Sequence, residues 1–227
     1  MNATPMSGAW TMSMACMPMP AETWTHAAAS FLAMWIVMMA AMMLPSLTPM
    51  LWRYREAVAG VGGTRLAALT ALVAAAYFFV WTMFGLAVLP LDVARTAIEM
   101  EHAVPARAVP FVIGAVTLIA GAFQFTAWKA RQLACCRDAA SRGPASPSAA
   151  AAWRHGVRLG LHCVRCCLNL TTILLVVGIM DVRAMAVVTA AITAERLAPR
   201  GEPVARAVGG IVVVAGMVLI ARAAGLG

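Results

Sequence analysis

The chain has 227 residues, of which 63% are hydrophobic and 11% are charged, with a formal net charge of +8 at pH 7 and a mean hydropathy of +0.84. A soluble globular domain carries roughly 25% charged residues. This deficit, together with several apolar runs of about 20 residues, excludes a soluble domain and predicts an all-α polytopic membrane protein. The positive charge does not indicate nucleic-acid binding, because the arginines lie mostly in short loops between apolar runs, where they report membrane topology.

The first 26 residues form a methionine-rich leader. Its segment 12–19, MSMACMPM, has no hydrophobic period and is predicted to be extended or disordered. No Lys or Arg precedes Arg53 and the first apolar run has full membrane length, so we do not expect a cleavable signal peptide. The Met-x-Met spacing around Cys16 resembles flexible segments that collect Cu(I) or Ag(I). The alternative is an unstructured tail with a chance excess of methionine.

Six transmembrane helices are predicted after the leader, so that residues 27–225 form a single membrane domain. The predicted spans are residues 27–52, 66–89, 109–128, 157–180, 184–197 and 205–223. Pro45 and Pro49 are expected to kink or end the first span near its far side. Residues 138–153 contain a run rich in Ser, Pro and Ala, which predicts a flexible cytoplasmic loop.

The distribution of basic residues predicts the orientation. Most of the 17 basic residues lie in the first, third and fifth predicted loops: Arg53, Arg55, Arg65, Lys129, Arg131, Arg137, Arg142, Arg154, Arg158, Arg196, Arg200 and Arg206. The positive-inside rule places these loops in the cytoplasm, and an even number of spans places both termini on one side. The sequence therefore predicts a protein of the bacterial inner membrane with both termini, and hence the leader, outside the cytoplasm.

A stripe of methionines follows one face of the first predicted span. Met34, Met38 and Met42 are spaced i, i+4 and i+8, and Met43 lies beside them. Thioether sulfur is a soft ligand that suits Cu(I), so this stripe can hold or pass such an ion. The alternative is that methionine is only a flexible apolar side chain in a packed or lipid-facing helix.

The strongest motif is the run HCVRCC at residues 162–167. Cys163, Cys166 and Cys167 are spaced i, i+3 and i+4, so their sulfurs project from one helical face. Polar groups within a membrane span are costly and usually functional. These thiols, with His162 as an auxiliary ligand, can bind Cu(I) or contribute to a Zn(II) site. Arg165 can offset the thiolate charge or extend to the interface.

A second pair of thiols, Cys135 and Cys136, follows the third predicted span among the basic residues Lys129, Arg131 and Arg137. Neighbouring positive charge favours the thiolate form, so we expect this pair to accept metal on the cytoplasmic side. In the predicted topology the methionine stripe, the three span cysteines and this pair converge at one membrane depth.

Three blocks of sequence resemble an uncharacterised bacterial family of predicted metal-binding integral membrane proteins, some of which are labelled copper chaperones. The first block runs from Trp35 through the methionines to Pro45 and Pro49. The second is AGAFQFT with Lys129 and Cys136-Arg137, and the third comprises Gly160, Cys163, Cys166, Cys167, Gly178, Met180, Asp181, Met185 and Glu195-Arg196. The chain departs from the family pattern at Gln132, Arg165 and Leu168. The resemblance implies metal binding more than it implies copper in particular.

We therefore expect a membrane protein that binds a soft metal, Cu(I) before zinc, and hands it on without catalysis. The expected partners are the lipid bilayer and a copper-donor or copper-acceptor protein, in an oligomer or a larger membrane complex; nucleic acid is not expected. Two alternatives of other classes stay open. One is a thiol-redox membrane enzyme that exchanges electrons with a quinone, and the other is a structural subunit whose Met and Cys residues only pack.

Overall fold

The computed structural model describes residues 21–101, 108–141, 146–177 and 181–225. All regular structure within these ranges is helical, which confirms the predicted all-α class. In chain order the helices are α1 (Ala21–Ala57), α2 (Gly63–Glu101), α3 (Ala108–Phe123), α4 (Ala127–Ser141), α5 (Ala149–Val177), α6 (Val182–Leu197) and α7 (Gly201–Ala223). Most of the predicted leader, including the segment around Cys16, lies outside the described residues.

Four of these helices contain apolar stretches long enough to cross a membrane: Ala28–Ala57, Gly63–Pro90, Ala149–Val177 and Gly201–Ala223. A fifth candidate span is the pair Ala108–Phe123 and Ala127–Ala139, which is bent by 66° at its break. Large apolar side chains such as Val37, Ile119 and Ile211 are more than half exposed on the outer surface, as expected where a helix faces lipid. The chain is therefore a polytopic membrane protein.

The helix ends differ from the predicted spans in several places; α2 continues to Glu101 instead of ending near residue 89, and the predicted span 109–128 is broken after Phe123. Helix α1 continues through Pro45 and Pro49 to Ala57 instead of ending near Trp52. Helix α5 begins at Ala149, before the predicted 157, because four consecutive alanines open it and alanine has the highest helix propensity. The predicted fifth span corresponds to α6, which has 16 residues, fewer than the roughly 20 that a perpendicular crossing requires.

Small residues allow the helices to approach closely. Between α3 and α7, a Cβ added at Gly121 would lie 2.8 Å from the backbone nitrogen of Val213, and one at Gly216 would lie 2.8 Å from that of Leu118. Such contacts are typical of helix pairs in membranes, where packing replaces the hydrophobic effect.

Helices α1 and α2 are joined by a hydrogen bond from Trp35 Nε1 to the carbonyl oxygen of Trp81, 3.0 Å away.

The middle of α5 is the place where several helices bring ionisable groups together. Lys129 on α4 is bonded to the carbonyl oxygen of Cys166, and Arg196 near the end of α6 is bonded to Cys163. Both basic residues are buried, although the sequence places them among the solvated loop charges. They lie in the core because the break between α3 and α4 and the end of α6 both occur beside α5.

Candidate metal site

The three cysteines of α5 are buried, with Cys163 near residues of α1 and α2 and Cys166 near residues of α4. The sulfur of Cys163 lies 3.8 Å from that of Cys167, one helical turn away. It also lies 3.9 Å from Sδ of Met43 on α1. The spacing of the thiols along one helical face is thus realised, and a methionine of the predicted stripe joins them.

Cys136 extends this group to α4. Its buried thiol is close enough to that of Cys166 to interact with it, and Cys166 interacts in turn with Cys167. The five sulfurs therefore form a continuous series, in the order Met43, Cys163, Cys167, Cys166 and Cys136, which we call the sulfur chain. It connects α1, α5 and α4 within the protein core.

The other predicted ligands occupy different positions. Met38 and Met42 are buried in the apolar core, whereas Met34 is half-buried. Cys135 is exposed on the surface of α4, next to the end of the sulfur chain. His162 lines an outer groove of about 310 Å³, together with Arg158 and Arg165.

Of the two roles predicted for Arg165, its position agrees with extension to the surface, because the side chain is exposed in the outer groove. Arg196 on α6 is buried, and its Nη1 donates to Cys163 Sγ at 2.9 Å. The hydroxyl of Tyr77 donates to the same sulfur, also at 2.9 Å. Two donors, one of them cationic, thus converge on Cys163, which is the environment that suits an anionic sulfur.

The remaining bonds of Arg196 fix its position. Nη1 also donates to Ser46 Oγ at 2.9 Å, and Nη2 donates to Met50 Sδ at 3.2 Å. Because a guanidinium is planar with donors in a fixed fork, contacts through both terminal nitrogens hold it in one orientation. Arg196 therefore connects α6 with α1 and α5 at the sulfur chain.

A second buried cation, Lys129, has a carboxylate partner. Its Nζ lies 2.7 Å from Glu195 Oε2, and the two side chains are 0% and 2% exposed. Nε2 of Gln124, at the break between α3 and α4, donates to Glu195 Oε1 at 2.7 Å. Lys129 also donates to the carbonyl oxygen of Cys166 at 2.7 Å. This network connects the α3–α4 break and the end of α6 to α5.

Sequence reasoning noted Gln124, Lys129 and Glu195-Arg196 as parts of the family pattern but did not assign them to the site. Their signal was present, since ionisable residues at the ends of apolar segments are candidates for buried functional groups. For Met50, Tyr77 and Ser46 the sequence carries no such signal. These residues meet the thiols only because α1, α2 and α5 pack together.

The spacing of the sulfurs fits a shared soft ion. Two sulfurs that each lie about 2.3 Å from one ion are about 4.0 Å apart in a trigonal arrangement, close to the distances from Cys163 to Cys167 and to Met43. Among the residues that the structure describes, no three or more His, Cys, Asp or Glu side chains are arranged to hold a metal. A structural zinc site needs about four such ligands, whereas Cu(I) also accepts thioether sulfur.

The comparison with protein families agrees with this chemistry. A family model described as PpoB2, copper chaperone, matches residues 32–219, a range that includes parts of α1 and α7 and everything between them. No curated protein and no solved structure matches the chain. The family resemblance carried by the three sequence blocks is thereby confirmed. The chain belongs to the PpoB2 copper chaperone family, and copper handling is the function that this membership supports.

Proposed function

We propose that this protein binds Cu(I) at the sulfur chain within the bacterial inner membrane and hands it to a partner protein without a catalytic step. The observation that carries the proposal is the position of Cys163. Its buried sulfur lies 3.9 Å from Met43 Sδ and 3.8 Å from Cys167 Sγ, in a member of a copper chaperone family. Thiolates bind both metals, whereas the thioether of Met43 favours Cu(I) over zinc.

The order of the sulfurs supports handover along a path. A cuprous ion held by Met43 and Cys163 has thiol neighbours at Cys167, Cys166 and Cys136 in turn. Cys135 is exposed beside Cys136 on α4, where an acceptor protein can reach it. We propose that the methionine-rich leader supplies the ion from outside the cytoplasm and that Cys135 presents it to the acceptor. Met34, Met38, Met42 and His162 lie outside the sulfur chain and are not required as ligands in this scheme.

The first test compares the copper content of the detergent-purified wild type with that of Cys163→Ser after incubation with Cu(I) or Zn(II). We expect near-stoichiometric copper in the wild type. We expect affinity lower by about tenfold or more in the variant, because even the loss of groups that only support ligands costs 10–100-fold. Cys135→Ser is the matched control: its thiol is exposed and outside the sulfur chain, so it should keep its core copper.

Three outcomes would contradict the proposal. The first is the absence of specific copper from both wild type and Cys163→Ser. The second is rapid oxidation of the core thiols by a quinone analogue in copper-free protein, with turnover, which would favour a thiol-redox enzyme. The third is unchanged copper tolerance and assembly after replacement of Cys163, Cys166 and Cys167 by serine, which would favour a structural subunit.

We also propose that Cys135 faces the cytoplasm, with the leader on the opposite side. The basic residues Arg53 and Arg55 near the end of α1 and Arg65 at the start of α2 support this orientation through the positive-inside rule. The predicted six crossings also place the C-terminus outside the cytoplasm, which requires α6 to be the fifth of them although it has only 16 residues.

A membrane-impermeant maleimide tests this orientation in a Cys16→Ser background. The reagent should label Cys135 in inverted membrane vesicles but not in intact spheroplasts, because Cys135 is the exposed cysteine of the described residues. The label should disappear when Cys135→Ser is added. Labelling of Cys135 in intact spheroplasts would reverse the proposed orientation.

A further inference from the structure

The guanidinium of Arg196 is a buried cation whose bonding partners, within the described part of the chain, are not carboxylates. Its hydrogen bonds go to the hydroxyls of Ser46 and Tyr77, the thioether of Met50 and the sulfur of Cys163. An isolated charge is costly to bury in a medium of low dielectric constant. Of these four partners, Cys163 is the one that becomes an anion when it binds a metal.

The other charged groups of this region balance one another. Lys129 and Glu195 form a buried ion pair with 2.7 Å between nitrogen and oxygen, so together they add no net charge. Arg165 lies exposed in the outer groove instead of the core. The fixed charge next to Cys163 and Cys167 is therefore the single positive charge of Arg196, which does not deprotonate in proteins.

We propose that Arg196 is a specificity-determining residue that makes the site selective for a monovalent soft cation. This inference rests on the proposed function. When Cys163 and Cys167 bind as thiolates they release their protons to solvent, and two thiolates with Cu(I) carry a net charge of −1. The guanidinium charge of +1 brings the total to zero. With a divalent ion such as Zn(II) in the same two thiolates the total is +1, which is uncompensated inside the membrane.

The geometry supports compensation by this residue in particular. Nη1 lies 2.9 Å from Cys163 Sγ, where the interaction between charges is strong because the surroundings exclude water. The bonds to Ser46 and Met50 keep the guanidinium on one side of this sulfur. The sulfurs of Met43 and Cys167 lie within 4 Å of it. A cation held by those three sulfurs therefore has Arg196 as its nearest fixed charge.

The experiment measures affinities for Cu(I), Ag(I), Zn(II) and Cd(II) by competition with chromophoric chelators. It uses the wild type, Arg196→Gln and Arg196→Lys. We expect the wild type to bind both monovalent ions far more tightly than either divalent ion. Arg196→Gln should lose about tenfold or more in Cu(I) affinity, within the range known for groups that support metal ligands, and its preference for Cu(I) over Zn(II) should fall. Arg196→Lys keeps the charge and should keep most of the preference.

Arg165→Gln is the matched control, because it also removes an arginine charge, but one that is exposed on α5. It should leave the ratio of the Cu(I) and Zn(II) affinities unchanged. If the wild type binds Cu(I) but Arg196→Gln keeps the same ratio, the inference is wrong while the proposed function stands. If the wild type binds no copper, the proposed function itself fails. If Arg196→Gln does not fold, the affinities of the wild type test the inference on their own. Binding of Cd(II) as tight as that of Ag(I) would then overturn it.

Discussion

Replacing Lys129 by methionine should destabilise the protein by roughly 3–5 kcal/mol, the usual effect of removing one partner of a buried ion pair. The substitution leaves the Glu195 carboxylate in the core with Gln124 as its remaining bonding partner. It also removes the bond from Lys129 to the carbonyl oxygen of Cys166. The free energy of unfolding, measured by titrating dodecyl sulfate into mixed micelles, gives the size of the effect.

A second substitution should restore most of this loss. In Lys129→Met with Glu195→Gln the buried carboxylate is gone, while the new amide oxygen can still accept from Gln124. Replacing both partners of a buried pair by neutral groups is often close to neutral. The double variant should therefore be more stable than Lys129→Met alone, and a double variant that is less stable would show that Glu195 does not depend on Lys129 for its charge balance.

The chain provides a matched control for this experiment on α7. Glu202 and Arg206 form an ion pair of similar length, 2.6 Å, but their side chains are 51% and 60% exposed. Exposed pairs contribute about 0–1 kcal/mol, so Arg206→Gln should change stability little. Equal effects of Lys129→Met and Arg206→Gln would contradict the conclusion that burial makes the Lys129–Glu195 pair important.

The sequence predicts the membrane class and the cysteine face well, because both follow from local patterns. Apolar length identifies the spans, and the i, i+3, i+4 spacing brings Cys163, Cys166 and Cys167 to one side of a helix whatever its neighbours are. The placement of Cys136 against Cys166 is not a local property. It depends on the 66° bend between α3 and α4, which turns α4 toward α5.

Two basic residues lie in the core although the local sequence pattern assigns them to loops. Lys129 and Arg196 stand at the ends of apolar segments, where a count of charges assigns them to loops. The structure buries both, because α4 begins beside α5 and α6 ends there. Hydropathy alone cannot distinguish a charge at a water interface from one that enters the core beside a partner. The family pattern, which includes both residues, is the sequence signal that separates the two cases.

The methionine stripe predicts the face of α1 that carries sulfur but not the methionine that contacts a thiol. A periodic stripe places Met34, Met38 and Met42 on one face, but which sulfur meets a thiol depends on the depth at which α1 crosses α5. The contact falls at Met43, and Met50 further along is bonded to Arg196. The polar end of the site is therefore nearer the Arg53 end of α1 than the stripe suggests.

Replacing Gly156 by alanine should separate α5 from α2 and destabilise the protein by about 3 kcal/mol, the upper part of the range for overpacked cores. A Cβ at this position would collide with the carbonyl oxygen of Val73 and lie 2.7 Å from Cβ of Ala76. A backbone atom cannot move aside as a flexible side chain can, so the helices must shift. The bond between Tyr77 on α2 and Cys163 on α5 lies two turns along this interface and should be lost as well.

Mixed-micelle unfolding measures the stability of Gly156→Ala, and the alkylation rate of the α5 cysteines measures whether the site has opened. Gly210→Ala on α7 is the matched control, because no atom lies within 4 Å of a Cβ added there. Alanine favours a helix by up to about 1 kcal/mol over glycine, so this control should be neutral or slightly stabilising. Suppose that both variants keep wild-type stability and that their α5 cysteines are still alkylated slowly. Then α2 and α5 are not packed through Gly156, and the position of Tyr77 at the metal site must have another cause.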